Sequence, residues 1–161
     1  MRVRYNLFPP CKLAVPNRRV EGGFMEYDKP RLGDIYLMSF SGVGSEQKGV
    51  RPGIIFQNDI GNDRSPNVIA LPLTTRIKNL TQPTHVLLPA EKYNLLADSL
   101  VLCENPQRMS KSRLLKYLGA LEEEDIKSIA IGNILSSSAI ALLSEEELLD
   151  VWKESKRIQG L

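Results

Sequence analysis

Two short polar runs carry most of the chemistry this chain could perform. The first, Gly44-Ser45-Glu46-Gln47-Lys48-Gly49-Val50-Arg51-Pro52, gathers charged, amide and hydroxyl side chains just before an apolar stretch. The second, Thr74-Thr75-Arg76, closes another apolar stretch. Neither has the glycine spacing of a phosphate loop or a dinucleotide fingerprint. His85 is the only histidine. It sits beside a predicted strand, where a structural or surface role is the ordinary one. No carboxylate cluster surrounds it in sequence, so metal ligation has little support. A Ser-His-acid triad stays open, although nothing points to it. An acid–base pair of two histidines is open only to a dimer that shares one site. Arg76, Lys78 and Lys48 read most simply as solvated charges that could also meet phosphates.

The elements that must position these residues fit one compact domain with short extensions, since the chain has 161 residues. Hydrophobic residues make up 42% and charged residues 25%, an ordinary water-soluble composition. The most apolar stretch, 128–143, is too short to span a bilayer and carries Asn133 and serines. It reads as a buried or amphipathic helix. No secretion signal opens the chain. Cys11 and Cys103 stand far apart, as in a reduced, cytoplasmic protein.

The net charge of +2 divides unevenly. Before Met25 stand five basic residues and one acid, from Ser144 onward three bases and five acids, and the middle is neutral. Attraction for a polyanion must therefore come from a local patch. Residues 1–24 contain Pro9, Pro10, Pro16 and paired arginines without periodicity. They are expected to be disordered or untranslated, with Met25 opening a more ordinary start. Glu21-Gly22-Gly23-Phe24 would be encoded by a purine-rich stretch and a short spacer, as before a bacterial start codon. The alternative is a real basic arm.

From residue 25 to 143 the pattern is that of one domain. Strands are predicted at 35–40, 51–57, 68–73, 85–88 and 99–103, separated by glycine, proline and asparagine. Residues 41–45 read as a flexible loop and 58–66 as a turn-rich one. Such short strands suggest a small, strongly bent sheet or barrel. The period then changes. Acids at 122–125 suit a helix start, and Ile126, Ile129, Ala130 and Ile134 follow at helical spacing. A last helix over 144–161 is announced by Ser144 with Glu147, a capping box. Its Leu148, Val151 and Trp152 can form one apolar face, which predicts packing on the barrel or across a dimer. The class is α+β, mainly β.

The string GSEQKGVRPGIIFQNDIGNDRSPNVIALPLTTRI, followed by PTHV, resembles the MazF/PemK family of toxin ribonucleases. The likeness runs over 31–121 and continues weakly into the helix. It implies a small SH3-like barrel of the MazF/CcdB kind with C-terminal helices, a two-fold homodimer, and single-stranded RNA in a groove at the interface. It implies sequence-specific cleavage of messenger RNA in which a ribose 2′-OH attacks its own phosphate, leaving a cyclic phosphate and a 5′-OH, with no metal or cofactor. The family's catalytic arginine falls on Arg51 and its catalytic threonine on Thr74. Its RNA-facing loop falls on Ser45, Glu46 and Gln47, with Thr75 and Arg76 beside the catalytic threonine and a second position at Glu104 and Asn105. The implied partner is a small antidote protein with an acidic disordered tail, the complex binding DNA. No membrane is implied.

One stretch departs from the pattern. Where relatives commonly read Glu-Gln-Ile-Arg-Thr, this chain reads Glu104-Asn105-Pro106-Gln107-Arg108. Strand side chains alternate faces, so the displaced basic residue could turn away from RNA. Base preference is affected more than catalysis. Arginine, with a pKa above about 12, is a poor free base but suits the extra negative charge of a five-coordinate phosphorus. Charge stabilisation therefore ranks ahead of proton transfer for Arg51, and Thr74 can donate to the same oxygens. Two rival readings remain: a non-enzymatic gyrase poison like CcdB on the same barrel, and a catalytically weakened binding or regulatory module.

Overall fold

A computed structural model of the chain describes residues 29–43 and 47–160. The expectations for residues 1–24, and for Ser45 and Glu46, fall outside the described residues. The elements are β1 (Asp34–Ser41), β2 (Lys48–Ile55), α1 (Asp59–Arg64), β3 (Asn67–Thr74), β4 (His85–Leu88), α2 (Ala90–Tyr93), β5 (Ser99–Leu102), β6 (Gln107–Ser110), β7 (Leu114–Ala120), α3 (Glu123–Leu135) and α4 (Glu145–Gln159). Short 3-10 turns lie at Lys111–Arg113 and Ser138–Leu142.

The strands form one antiparallel sheet in the order β4-β5-β3-β2-β1-β7. β3 holds it together: Asn67 to Ala70 pair with β6, while Leu73 and Thr74 pair with β5. One edge thus serves two partners, and the sheet bends into a small SH3-like barrel. Alternation along the strands divides the apolar residues between two cores. Tyr36, Met38 and Phe40 of β1 join Ile55, Val68, Ala70 and Met109 in one. Ile35, Ile54, Leu71, Leu73 and Val101 face the other, which α3 covers with Ile126 and Ile129. Gly33, just before β1, has φ +88°, and a Cβ there would come within 2.5 Å of Ile126 Cδ1. Only glycine fits both the turn and the helix above it.

Several expectations are corrected. The segment 58–66 holds a helical turn, α1, because Asn58 Oδ1 accepts from the Gly61 N–H at 2.9 Å and caps it. Asn62, read as part of a turn, is buried and donates to the Gln57 carbonyl at 2.9 Å. The strands β6 and β7 were not foreseen as elements. Residues 128–143 are not one helix: α3 stops at Leu135, and Ser137 caps the following 3-10 turn by accepting from the Ala139 N–H. Serines compete with helix in this way. On α3 the third buried residue is Gly132, with Ala130 half-buried and Ile134 exposed. A Cβ on Gly132 would lie 3.0 Å from Cys103 Sγ, so the helix approaches the turn after β5 through its glycine.

The last helix forms as its capping box predicts. Ser144 Oγ accepts from the Glu147 N–H, and Glu147 Oε2 accepts from the Ser144 N–H at 2.8 Å. Its predicted packing on the barrel is absent. No residue of α4 is buried, Leu148 is half-buried, and Trp152 stays 40% exposed with the Lys156 ammonium over its ring. Among the described residues no helix is long and apolar enough to cross a membrane.

Candidate active site

β2 and β3 pair through Ile55↔Ala70, Ile54↔Leu71 and Gly53↔Pro72. Pro52 and Pro72 have no N–H to give, so the ladder stops there. Continued by two residues, the same register sets Arg51 opposite Thr74. The glycine after Arg51-Pro52 sits close to the core. A Cβ on Gly53 would lie 2.8 Å from both Met38 Sδ and Phe40 Cζ and 3.2 Å from the Leu71 carbonyl oxygen, so a side chain there would force these core groups to move.

Beyond the end of this ladder lies a groove of about 1010 Å³. β2 and the residue before it contribute Gln47, Lys48 and Arg51, and the end of β3 contributes Thr74, Thr75 and Arg76. β7 adds Lys116, and the loop after α2 adds an apolar wall that includes Leu95 and Leu96. Among the described lining residues there are four cationic side chains (Lys48, Arg51, Arg76 and Lys116) and no carboxylate. A barrel that is neutral along its middle therefore concentrates positive charge in one concave place.

Arg51 is held and partly uncommitted. One guanidinium nitrogen donates to Gln47 Oε1, and another donates to the Lys48 carbonyl at 2.6 Å. Its Nε is buried and has no hydrogen-bond partner among the described residues. A buried donor of this kind is costly unless a ligand oxygen meets it. Thr74 Oγ1 accepts from the Arg76 N–H at 3.2 Å, which orients the hydroxyl and leaves its own proton to donate. The set suits an oxyanion held by fixed donors. Among the described residues no three His, Cys, Asp or Glu side chains gather where a metal ion could sit.

The structure thus brings Gln47, Arg51, Thr74, Thr75 and Arg76 to one groove. Glu104 and Asn105 are not in its lining. Glu104 Oε1 lies 3.2 Å from His85 Nε2, and Asn105 Oδ1 accepts from Gln107 Nε2 at 3.5 Å. Arg108 is exposed while its neighbour Met109 is buried. Lys116 was missed in the sequence. It reaches the groove because β7 pairs with β1, with Lys116 opposite Leu37. No local signal announces a contact made across such a separation. Leu95 and Leu96 were missed for the same reason.

Residues 31–132 match a family described as the PemK-like, MazF-like toxin of type II toxin–antitoxin systems. Solved structures share the fold. An endoribonuclease from a mycobacterial species aligns with a TM-score of 0.55 at 23% identity, over 71% of this chain and 94% of its own. MazF from Deinococcus radiodurans aligns with a TM-score of 0.57 at 24% identity, over 68% of this chain and 99% of its own. A mycobacterial endoribonuclease in complex with its cognate antitoxin aligns with a TM-score of 0.52 at 24% identity, over 66% and 93%. Each of these chains is nearly fully covered, whereas about a third of this one lies outside the match.

Proposed function

We propose that this chain, which belongs to the family of PemK-like, MazF-like toxins of type II toxin–antitoxin systems, cuts single-stranded messenger RNA at specific sequences in the groove between Arg51 and Thr74. The observation that carries this reading is the pairing of a partly uncommitted arginine with an oriented hydroxyl in a cationic groove free of carboxylates among its described residues. A carboxylate-free cationic groove attracts a polyanion, and fixed donors favour the charge that develops at phosphorus.

In the proposed reaction the ribose 2′ oxygen attacks the adjacent phosphorus and loses its proton. The new O2′–P bond forms as the P–O5′ bond breaks, and the departing 5′ oxygen takes up a proton. The products are a 2′,3′-cyclic phosphate and a 5′-OH, and no metal takes part. Arg51 acts first as a charge stabiliser through its guanidinium N–H groups, and Thr74 donates its hydroxyl proton to a phosphate oxygen. Gln47 fixes the Arg51 fork, while Lys48, Arg76 and Lys116 hold flanking phosphates. Thr75 lies beside the scissile group. Ser45, Glu46, Glu104 and Asn105 would contact RNA bases only as the family resemblance implies.

The chain is proposed to act in the cytoplasm as a homodimer. One of the similar structures was solved with its cognate antitoxin. For this chain we infer a small antidote whose acidic tail competes with RNA for the same groove, since both are extended polyanions. The test incubates the purified protein with a long single-stranded RNA in excess EDTA and maps the new ends. Cyclic phosphates with 5′-OH ends are expected. A matched RNA with one deoxyribose at the cut should resist. Cleavage that stops in EDTA and returns with a divalent cation, or efficient cutting at the deoxyribose, would overturn this chemistry.

A further inference from the structure

His85 lies outside the groove lining, yet it touches the loop that leaves the groove. After Thr74, Thr75 and Arg76 the chain runs through a loop to β4, where His85 pairs with Leu102 of β5. The ring is only 11% exposed. Its Nδ1 lies 3.3 Å from the Lys78 carbonyl oxygen, in the middle of that loop. Its Nε2 lies 3.2 Å from Glu104 Oε1, in the turn between β5 and β6. Both partners are pure acceptors. A neutral imidazole has one N–H and one lone pair, so it can satisfy only one of them. Both contacts are bonds only when the ring carries two protons.

We propose that His85 is a positioning residue: as an imidazolium it ties the loop carrying Thr75 and Arg76 to Glu104, and the groove's grip on an anionic strand weakens when the ring loses its proton. The consequence for RNA rests on the function proposed above; the tie itself does not.

The order of loss follows from the partners. The bond to a carboxylate is charge-assisted and stronger than the bond to a carbonyl. The neutral ring therefore keeps its Nε2 proton on Glu104 and gives up the one on Nδ1. The Nδ1 lone pair then faces the Lys78 carbonyl oxygen, and that contact becomes repulsive. The part of the loop that follows Arg76 is released, while the barrel is untouched.

Among the described residues, the charged groups on the neighbouring elements are exposed or paired elsewhere. Within the loop, the Lys78 side chain is exposed. Cys103, next to Glu104, has its thiol pushed up to about 12 by burial first and by the Glu104 charge second, so it stays neutral. α3, which packs against β4, has its own pairs: Glu123 with Lys127, and Asp125 with Lys92, which also holds Glu122. Its Glu124 is exposed. With a single histidine in the chain, one ring signal reports the titration without ambiguity.

The test follows ring nitrogen protonation by NMR, hydrogen exchange of loop amides 75–84, and affinity for a mixed-sequence single-stranded 2′-O-methyl oligonucleotide, which cannot be cut. Each is measured on the full chain across the range in which histidine side chains in general change charge, about pH 5 to 8. As the ring titrates, the Nδ1 proton is expected to leave first and loop protection to fall with it. The dissociation constant should rise by about three- to fivefold, the scale of one weakened exposed ion pair. Glu104→Gln turns the facing acceptor into a donor that can serve a neutral Nε2. In that variant Nδ1 should keep its proton and loop protection should become pH-independent. His85→Gln should leave the loop weakly protected at every pH, with folding checked by its melting curve. Loss of the Nε2 proton first, or loop protection indifferent to the titration, would overturn the proposal. So would a Glu104→Gln variant that still behaves as wild type. Protection that tracks the ring without any change in affinity would support the tie and overturn its effect on the groove, whereas no measurable affinity at any pH would count against the RNA-binding reading itself.

Discussion

The two helices that follow β7 have similar local instructions and opposite fates. Both start with three acids in the first turn, where the helix dipole favours them. By local rules α4 is the better specified of the two. It has a complete capping box, basic residues in its last turn and Gly160 in the left-handed conformation at its end, whereas α3 has no side-chain cap. Yet α3 buries Ile126, Ile129 and Gly132, and α4 buries nothing. Capping decides whether a helix forms; a complementary surface decides whether the fold depends on it. For α3 that surface is the face of the sheet displaying Ile35, Ile54, Leu71 and Cys103.

Substitutions on the two helices should therefore separate sharply. Ile129 is about 1% exposed at the centre of its core. Ile129→Ala should cost ~2–5 kcal/mol and lower the melting temperature clearly. A melting curve within error of wild type would mean that α3 does not cover this core. Trp152→Ala is the smaller change, although it removes a larger side chain. With Trp152 40% exposed, the effect on stability should stay within ~0.5 kcal/mol. A drop of several degrees, with a blue-shifted Trp152 emission in the wild type, would show that a second copy or a partner covers α4 in solution.

The same contrast explains what could be read without coordinates. The positions of β1 to β5 were legible because apolar residues alternate and turns are marked by glycine and proline, whereas β6 and β7 were not. The two helix starts were legible because capping and first-turn acids are local. What failed was non-local or rested on competing local signals. Gly61-Asn62 reads as a turn, but the Asn58 cap and the buried bonds of Asn62 make it helical. The apolar stripe of α4 reads as a core face, but nothing in its own residues says what lies beneath it.

The groove divides in the same manner. Gln47, Arg51 and Thr74 to Arg76 were legible because they sit in two short runs that adjacent antiparallel strands bring together. Lys116 and Leu96 were not, since only the β1–β7 pairing and the path after α2 deliver them. The link from His85 to Glu104 was hidden for the same reason. It exists because β4 and β5 pair with His85 opposite Leu102, which places the following turn beside the ring.

Arg51 and Thr74 are proposed to cut RNA while contributing little to the fold. This is tested most directly by comparing cleavage rates and melting temperatures of Arg51→Ala and Thr74→Ala with wild type, on one RNA substrate in EDTA. Each variant should lose about 10²–10³ in rate, the usual cost of one well-placed donor to a developing oxyanion. Each should melt within a degree or two of wild type, because the backbone pairs Met38↔Arg51 and Thr74↔Leu100 survive truncation and neither side chain belongs to either core. Cleavage at the wild-type rate by either variant in its folded form would remove that residue from the proposed catalytic pair.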